Sequence, residues 1–179
     1  LVSKLEGLEK GFQNASRFSR IEWLRNSGDS GGGWRFQSDD GGLFNRASCN
    51  VSQVQYETIL QKPLESATAL SCIIHPKNPY APSIHMHFSW TKLKEKIGFW
   101  RIMADLNPCR ENEAHKLKFA QDLKAKAKEH LDRGIENGDQ YFLIPSLNRT
   151  RGCWHFYLEG FRQEKFTQEA EYVNEFATA

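Results

Sequence analysis

Apolar and polar residues alternate most clearly in four segments of the chain, and each predicts a β-strand. Residues 68–75 form a largely apolar run typical of a buried strand. Residues 84–90 and 153–161 each place large apolar side chains on one face and mainly polar ones on the other. Residues 97–106 place Trp100, Ile102 and Ala104 on one face, and Phe99, Arg101, Met103 and Asp105 on the other. A shorter strand is predicted at WRFQ. Because few helices separate these strands, we expect an antiparallel sheet.

Three further segments have helical spacing. Residues 1–25 predict one broken helix or two short ones, and residues 164–179 a last helix with Phe166, Val173 and Phe176 buried. Residues 111–136 carry the clearest pattern, and Gly138 is expected to end that helix. Its apolar stripe consists of Leu117, Ala120, Leu123, Ala127 and Leu131. The expected fold is α+β, with helices packed on an antiparallel sheet, in a single domain over residues 1–179.

Six glycines lie between Gly28 and Gly42, three of them consecutive. Such a run favours a loop over a helix or a central strand. The phosphate-binding loop of nucleotide-binding proteins needs Lys-Ser/Thr after its last glycine, which is absent here. The dinucleotide fingerprint needs a strand before it and a helix after it, and the pattern predicts neither. We therefore exclude a nucleotide-binding fold.

Composition narrows the function classes further. The chain has 39% hydrophobic and 26% charged residues and a formal charge of +2, so nucleic acid is not an expected partner. The four cysteines are widely spaced and form no CxxC pair, which favours reduced, mostly buried thiols. We see neither a signal peptide nor an apolar run of membrane-spanning length, and we expect a cytoplasmic protein with no membrane span.

Polar residues of the types that bind ligands or catalyse reactions cluster on two of the predicted strands. His85, His87 and Ser89 share one face of the strand over residues 84–90, and His75 precedes the proline-rich turn before it. Arg101 and Asp105 share one face of the next strand. If the strands are neighbours, these side chains line one site. The alternatives are two solvent-facing histidines, a His75 that only hydrogen-bonds the turn, and an Asp105 that only caps a strand end.

A metal site is an alternative for these histidines, because imidazole binds transition metals well. His75, His85, His87 and His155 are its candidate ligands. No short ligand spacing such as HExxH is present, so we do not expect a metal, although a divalent ion stays open.

Five segments hold the most distinctive residues of the chain. They are GGGWRF, SDDGGLFNRASCNVSQV, SCIIHPKNPYAPSIHMHF, FWRIMADLNP and YFLIPSLNRTRG. In this order they resemble the signature segments of the oxygen-dependent coproporphyrinogen III oxidase family. In the third, for example, a strand ending in His-Pro leads to Asn-Pro-Tyr-Ala-Pro and a second histidine. The matches cover about residues 31–161.

The resemblance implies a large antiparallel sheet sandwiched between layers of helices. It also implies oxidative decarboxylation of two propionates of coproporphyrinogen III to vinyl groups, giving protoporphyrinogen IX in haem biosynthesis. Molecular oxygen is then the oxidant, and no organic cofactor takes part. By position, His85 and Asp105 correspond to catalytic residues, and Ser71, His75 and Arg151 to substrate-binding residues.

Several positions depart from the family pattern. After His85 the family has Asn-x-Arg, where this chain has His87, Phe88 and Ser89, so His87 and Ser89 become candidate substrate contacts. Three family glycines are replaced by Arg101, Ile102 and Met103. Arg101 is a candidate for the missing arginine, whereas Ile102 and Met103 are expected to crowd a flat substrate.

The family's carboxy-terminal region has no counterpart in this sequence, so the single domain is expected to lack it. Three functions stay open: an oxidase, a non-catalytic porphyrin- or haem-binding relative, and an interaction module. A homodimer is a further expectation, because an uncovered edge strand favours pairing.

Overall fold

The computed structural model describes residues 1–8, 10, 15, 17–56, 63–94, 96–161 and 166–177. In chain order the strands are β1 (Phe18–Leu24), β2 (Gly31–Ser38), β3 (Phe44–Gln55), β4 (Leu64–Pro76), β5 (Ser83–Leu93), β6 (Lys96–Asn107), β7 (Leu143–Ile144), β8 (Arg149–Thr150) and β9 (Trp154–Phe161). Seven of them form one antiparallel sheet in the order β1-β2-β3-β4-β5-β6-β9, and β7 pairs with β8 in a small ribbon.

Within the described residues, four α-helices accompany the sheet: α1 (Val2–Leu8), α2 (Glu113–Ala127), α3 (Leu131–Tyr141) and α4 (Phe166–Ala177). The expected α+β class with an antiparallel sheet is confirmed. No helix in the described ranges combines the length and the apolar character needed to cross a bilayer.

The main core lies between one face of the sheet and helices α2 and α4. Phe88, Ile102 and Phe156 of three adjacent strands pack there with Leu123 of α2 and Phe176 of α4. A second cluster lies on the same face of the sheet, towards β3. It consists of Leu5, Phe44, Ala47, Cys49 and Cys72. The helices therefore bury the apolar face that the alternation predicts.

The four principal strand predictions are confirmed, with their faces. Residues 68–75, 84–90, 97–106 and 153–161 lie within or almost within β4, β5, β6 and β9. On β5, Met86 and Phe88 contact the core, while His85 and His87 lie on the other face. Strand β3 was not predicted, because its few apolar residues alternate only weakly with serine and asparagine.

The helical reading of residues 18–25 is wrong, because they form the edge strand β1. The part of that prediction around Phe12 lies outside the described residues. Strand pairing overrides the local pattern here, since every residue of β1 is opposed by a residue of β2. Ile21, one of the apolar residues whose spacing favoured a helix, is 40% exposed.

The three consecutive glycines form part of β2, not the predicted loop. Their neighbours explain why glycine is needed in this strand. A Cβ on Gly33 would lie 2.0 Å from the carbonyl oxygen of Val51, and one on Gly32 would lie 2.4 Å from that of Trp23. The glycines therefore allow a close backbone approach that side chains would block.

The long helix predicted over residues 111–136 is two helices. Lys128 adopts a positive φ of 51° between α2 and α3, which ends the first. Leu117, expected in the apolar stripe, is 59% exposed, whereas Leu123 and Ala127 are buried as expected. Gly138 does not end a helix but lies inside α3, where a Cβ would be 2.5 Å from the His155 ring. It allows α3 to pack closely on β9.

Candidate functional site

The face of the sheet opposite the core is polar, and its side chains form rows across the strands. Paired positions place Ile73, His85, Asp105 and His155 in one row over β4, β5, β6 and β9. The next row contains Ser71, His87, Met103 and Tyr157. A third contains Ala69, Ser89, Arg101 and Glu159. We call this surface the polar face. It brings residues that are distant in sequence within reach of one ligand.

Asp105 is the centre of a dense hydrogen-bond network, although its side chain is 0% exposed. Its Oδ1 accepts from His85 Nδ1 at 3.1 Å and from Arg151 Nη2 at 3.1 Å. Its Oδ2 accepts from Arg151 Nε at 3.2 Å and from the side-chain amide of Asn107. The carboxylate is thus held by two strands and by the loop before β9.

The charge of Asp105 follows from this environment. Burial alone would raise its pKa, but the hydrogen bonds from His85 and Asn107 and the charge of Arg151 outweigh burial and lower that pKa. Asp105 is therefore ionised near neutral pH and acts as a fixed hydrogen-bond acceptor. We assign the Nδ1 proton of His85 to the Asp105 bond, which leaves Nε2 for proton exchange.

The loop before β9 places Arg151 against Asp105. Gly152 has a φ of +70°, and a Cβ there would lie 2.4 Å from the carbonyl oxygen of Leu106. The amide of Arg151 donates to the Phe142 carbonyl at 2.9 Å, and its guanidinium lies 4.7 Å from the centre of the Phe142 ring. The Arg151 side chain is still 47% exposed, so it can also meet a ligand.

A first hollow of about 380 Å³ opens beside this network. His75, His85, Asp105, Asn107 and Arg151 line it, together with Ile73, Ser83 and Ile84. His75 Nδ1 lies 2.9 Å from Ser83 Oγ across the proline-rich turn, so it also makes the turn contact considered from the sequence. This hollow therefore brings together four of the eight residues that the sequence predicts for the site: His75, His85, Asp105 and Arg151.

A second hollow of about 260 Å³ lies further along the same strands. His87, Ser89 and Arg101 contribute to its lining, and Ser71 lies opposite His87 in the adjacent strand. Arg101 already forms an ion pair with Glu159, whose other carboxylate oxygen accepts from Tyr157 at 2.8 Å. A substrate carboxylate would compete with Glu159 for Arg101.

Met103 lies in the row between the two hollows and lines neither of them. It is buried with Phe142 and Tyr157, between Arg101 and Asp105 on β6. Tyr141 stacks on Tyr157 with ring centres 4.0 Å apart and planes at 8°. The expectation that Ile102 also crowds this face is wrong, because Ile102 lies in the core on the opposite face. Of the three residues at family glycine positions, Arg101 and Met103 lie on the polar face, and Met103 is the buried apolar one.

The sequence analysis missed Asn107 and Glu159 as members of these networks. Asn107 follows Asp105 by two residues on β6, so strand alternation alone could have placed it on the polar face. The Arg101–Glu159 pair depends on β9 lying beside β6, a pairing that the sequence does not reveal. His155 likewise lies beside Asp105, and its Nε2 bonds Asp139 at 3.0 Å.

Within the described residues, no group of three or more His, Cys, Asp or Glu side chains is arranged to hold a metal ion. Three histidines of the polar face bond to other side chains: His75 to Ser83, His85 to Asp105 and Arg151, and His155 to Asp139.

Protonation of His87 is expected to weaken folding below neutral pH. Burial and the positive charges of Arg101 and His85 lower its pKa in the folded chain. The unfolded chain binds a proton at a pKa of about 6.5, so the folded state loses stability as pH falls from about 7 through the lower folded value. Urea denaturation at pH 7 and 5 should show a smaller loss for His87→Gln than for the unchanged protein. An equal loss in both would contradict this assignment.

Comparison with known proteins now adds to this geometry. A model of the family described as coproporphyrinogen III oxidase matches residues 1–179. The chain belongs to the coproporphyrinogen III oxidase family. The resemblance drawn from the five segments is thereby confirmed.

Several relatives are named oxygen-dependent coproporphyrinogen-III oxidase. One from Prochlorococcus marinus (strain AS9601) is 29% identical over 170 residues, which is 85% of this chain and 48% of that protein. One from Drosophila melanogaster is 28% identical, over 80% of this chain and 42% of that protein. The chain thus spans about half of the first relative and less of the second. A mitochondrial enzyme from Rattus norvegicus is 29% identical over 79% of this chain. The cytoplasmic location of this chain stays a prediction.

Proposed function

We propose that this chain carries out the oxygen-dependent oxidative decarboxylation of coproporphyrinogen III to protoporphyrinogen IX. The observation that supports this most directly is the buried carboxylate of Asp105, bonded to His85 and Arg151 beside an open hollow. A porphyrinogen offers four pyrrole N–H donors and several carboxylates. An ionised carboxylate next to an arginine matches both kinds of group.

The balance of the reaction defines what the site must do. Each propionate reacts as R–CH2–CH2–COO⁻ + O2 + H⁺ → R–CH=CH2 + CO2 + H2O2. The side chain loses carbon dioxide and two electrons, and oxygen gains those electrons with two protons. The protein has to hold the ring, remove a proton and exclude competing water. Asp105 and His85 are the groups suited to the proton transfer.

In this proposal Asp105 exchanges its present donors for pyrrole N–H groups. Its lowered pKa makes it a poor base on its own, but a good acceptor that orients the ring. His85 then takes up or returns the proton through the nitrogen that does not face Asp105. The partly exposed Arg151 turns to a propionate of the substrate, which uncovers Asp105.

The second hollow supplies the remaining contacts in this proposal. His87, Ser89 and Arg101 lie on the same strands as the first hollow, so a ligand lying along the polar face meets both. Arg101 would bind a carboxylate in place of Glu159. On β4, His75 lies at one end of this path, and Ser71 lies in the row between the two hollows.

Arg151→Gln is expected to lower kcat/KM for coproporphyrinogen III by about tenfold to a hundredfold, because a charged, bidentate donor to a carboxylate is lost. The matched control is Arg149→Gln, an exposed arginine two residues earlier. Initial rates over a range of substrate concentrations measure both. Equal effects of the two substitutions would remove Arg151 from substrate binding.

The decisive experiment supplies anaerobically prepared coproporphyrinogen III and then oxygen, with chromatography of the vinyl products. Oxygen-dependent formation of a monovinyl and then a divinyl product supports the proposal. Product formation that persists with a chelator supports the absence of a metal requirement. Ligand binding without vinyl product favours the non-catalytic relative, for which the buried Met103 on the polar face is the motivating observation. Neither binding nor turnover favours the interaction module.

We also propose that the chain forms a homodimer. β1 and β9 are the edge strands of the seven-stranded sheet. Because α3 packs against β9, β1 is the edge that offers unpaired backbone groups to a second copy. Light scattering of the purified chain at several concentrations tests it directly, and a mass that stays monomeric at all of them would reject it.

A further inference from the structure

Two buried cysteines face each other across adjacent strands of the sheet. Cys49 of β3 and Cys72 of β4 are directly opposed in register, and their Sγ atoms lie 3.3 Å apart. Their residues are only 2% and 1% exposed. Both are free thiols in the structure. They lie on the core face of the sheet, away from the two hollows.

The backbone already has the geometry of a disulfide bridge. Directly opposed residues of antiparallel strands have Cα atoms about 4.5–5.5 Å apart, and disulfides span about 4.4–6.8 Å between Cα atoms. The two sulfur atoms need to approach by only about 1.3 Å to reach the bonded distance of about 2.0 Å. Side-chain rotation can supply such a change without moving the strands.

We propose that Cys49 and Cys72 are an oxidation site, and that a peroxide closes them to a cross-strand disulfide that ties β3 to β4. The sulfur of Cys49 attacks one peroxide oxygen, the O–O bond breaks, and a sulfenic acid and water result. The sulfur of Cys72 then attacks that of Cys49, the S–O bond breaks and a second water leaves. In total, two thiols and one H2O2 give one disulfide and two waters. Each sulfur loses one electron, and the peroxide gains two.

The order of attack follows from the thiol pair itself. The hydrogen bond from Cys72 lowers the pKa of Cys49, whereas the same contact together with burial raises the pKa of Cys72. The thiolate is the reactive form of cysteine, so Cys49 reacts first and Cys72 resolves it. A partner at 3.3 Å also intercepts the sulfenic acid before it can be oxidised further.

Access to the pair is controlled by α1. Leu5 is the buried residue of this seven-residue helix, and it packs in the same cluster as both cysteines. An apolar groove of about 500 Å³ runs beside the pair and is lined by Leu5, Ile74 and Met86 among others. A short helix held by few buried contacts opens easily, which admits a small oxidant from the groove. Leu5→Ala should therefore speed the reaction several-fold.

The test uses the full chain, treated with hydrogen peroxide and then unfolded, with remaining thiols alkylated. Peptides are cut after glutamate, because Glu65 lies between the two cysteines. Expected results are a mass loss of two hydrogen atoms, a linked peptide pair containing Cys49 and Cys72, and reversal by dithiothreitol. The bridge should also raise Tm by about 5 °C or more, since it constrains the unfolded chain.

Cys109→Ser with Cys153→Ser is the matched control, because it removes the other two cysteines and leaves the pair intact. It should form the bridge at the same rate as the unchanged chain. In Cys72→Ala, Cys49 should end as a singly or doubly oxygenated acid and form no bridge. Full alkylation of both cysteines in the treated native chain would overturn the proposal, as would a bridge to Cys109 or Cys153. Peroxide is added directly, so failure here is independent of porphyrinogen turnover.

Discussion

Asp105→Asn should lower the turnover of coproporphyrinogen III by about 10²–10⁴-fold, the range typical of losing a positioned acid–base group. Asparagine keeps the size of the side chain and one carbonyl acceptor. It removes the negative charge that His85 and Arg151 now contact, so it no longer fixes the Nδ1 proton of His85 or attracts the pyrrole N–H groups. The effect should appear mainly in kcat, because the carboxylate is proposed to act on the reacting ring.

Asp139→Asn is the control for this substitution. Asp139 also accepts a hydrogen bond from a histidine, His155, at 3.0 Å, but its side chain is 63% exposed and lies outside the lining of the first hollow. Its replacement should leave turnover within about twofold, because Asp139 is exposed and lines neither hollow. Thermal unfolding of both variants separates a loss of folding from a loss of chemistry. Full activity in Asp105→Asn with a normal Tm would reject Asp105 as a catalytic residue.

Much of the polar face could be predicted from the sequence, because strand alternation is a local property. His85 and His87 share a face of β5, and Arg101 and Asp105 share a face of β6, as predicted. The pairing of the two strands follows from their short connection. The contact between His85 and Asp105, at 3.1 Å, is thus the outcome of two local patterns and one short loop.

The remaining features depend on strand order and on backbone contacts, which a pattern does not contain. Glu159 meets Arg101 only because β9, far along the chain, lies beside β6. The glycines of β2 were read as a loop because their own strand propensity is low. In the structure the glycines pair with β1 on one side and β3 on the other. The backbones of those strands come so close that a side chain at Gly32 or Gly33 would clash with them. The Arg101–Glu159 pair and the strand at the glycines thus both depend on tertiary strand pairing, which a local pattern does not contain.

The split of the candidate residues into two hollows also required the structure. Sequence comparison placed eight residues in one site, but the side chain of Met103 lies between the Asp105 and Arg101 positions. It is one of the positions on the polar face where this chain departs from the family pattern. A ligand of the family's size has to lie across Met103, or Met103 has to move.

Gly134→Ala should be the most destabilising single-methyl change in the helices. A Cβ at Gly134 would lie 2.0 Å from Cε2 of Phe156, a side chain that is fully buried in the main core. Neither the ring nor α3 can move without disturbing that core. Overpacking of this kind costs about 1–3 kcal/mol, which exceeds the gain of up to about 1 kcal/mol in helix propensity.

Gly7→Ala is the matched control, since it makes the same chemical change in α1, where a Cβ would meet no described atom within 4 Å. There only the propensity gain remains, and the free energy of unfolding should rise by about 0.5–1 kcal/mol. Urea denaturation of both variants measures the two changes, which should have opposite signs. If Gly134→Ala were as stable as the unchanged chain, α3 could not pack on Phe156 as closely as the structure places it, and the support that α3 gives to β9 beside Asp105 would have to be looser.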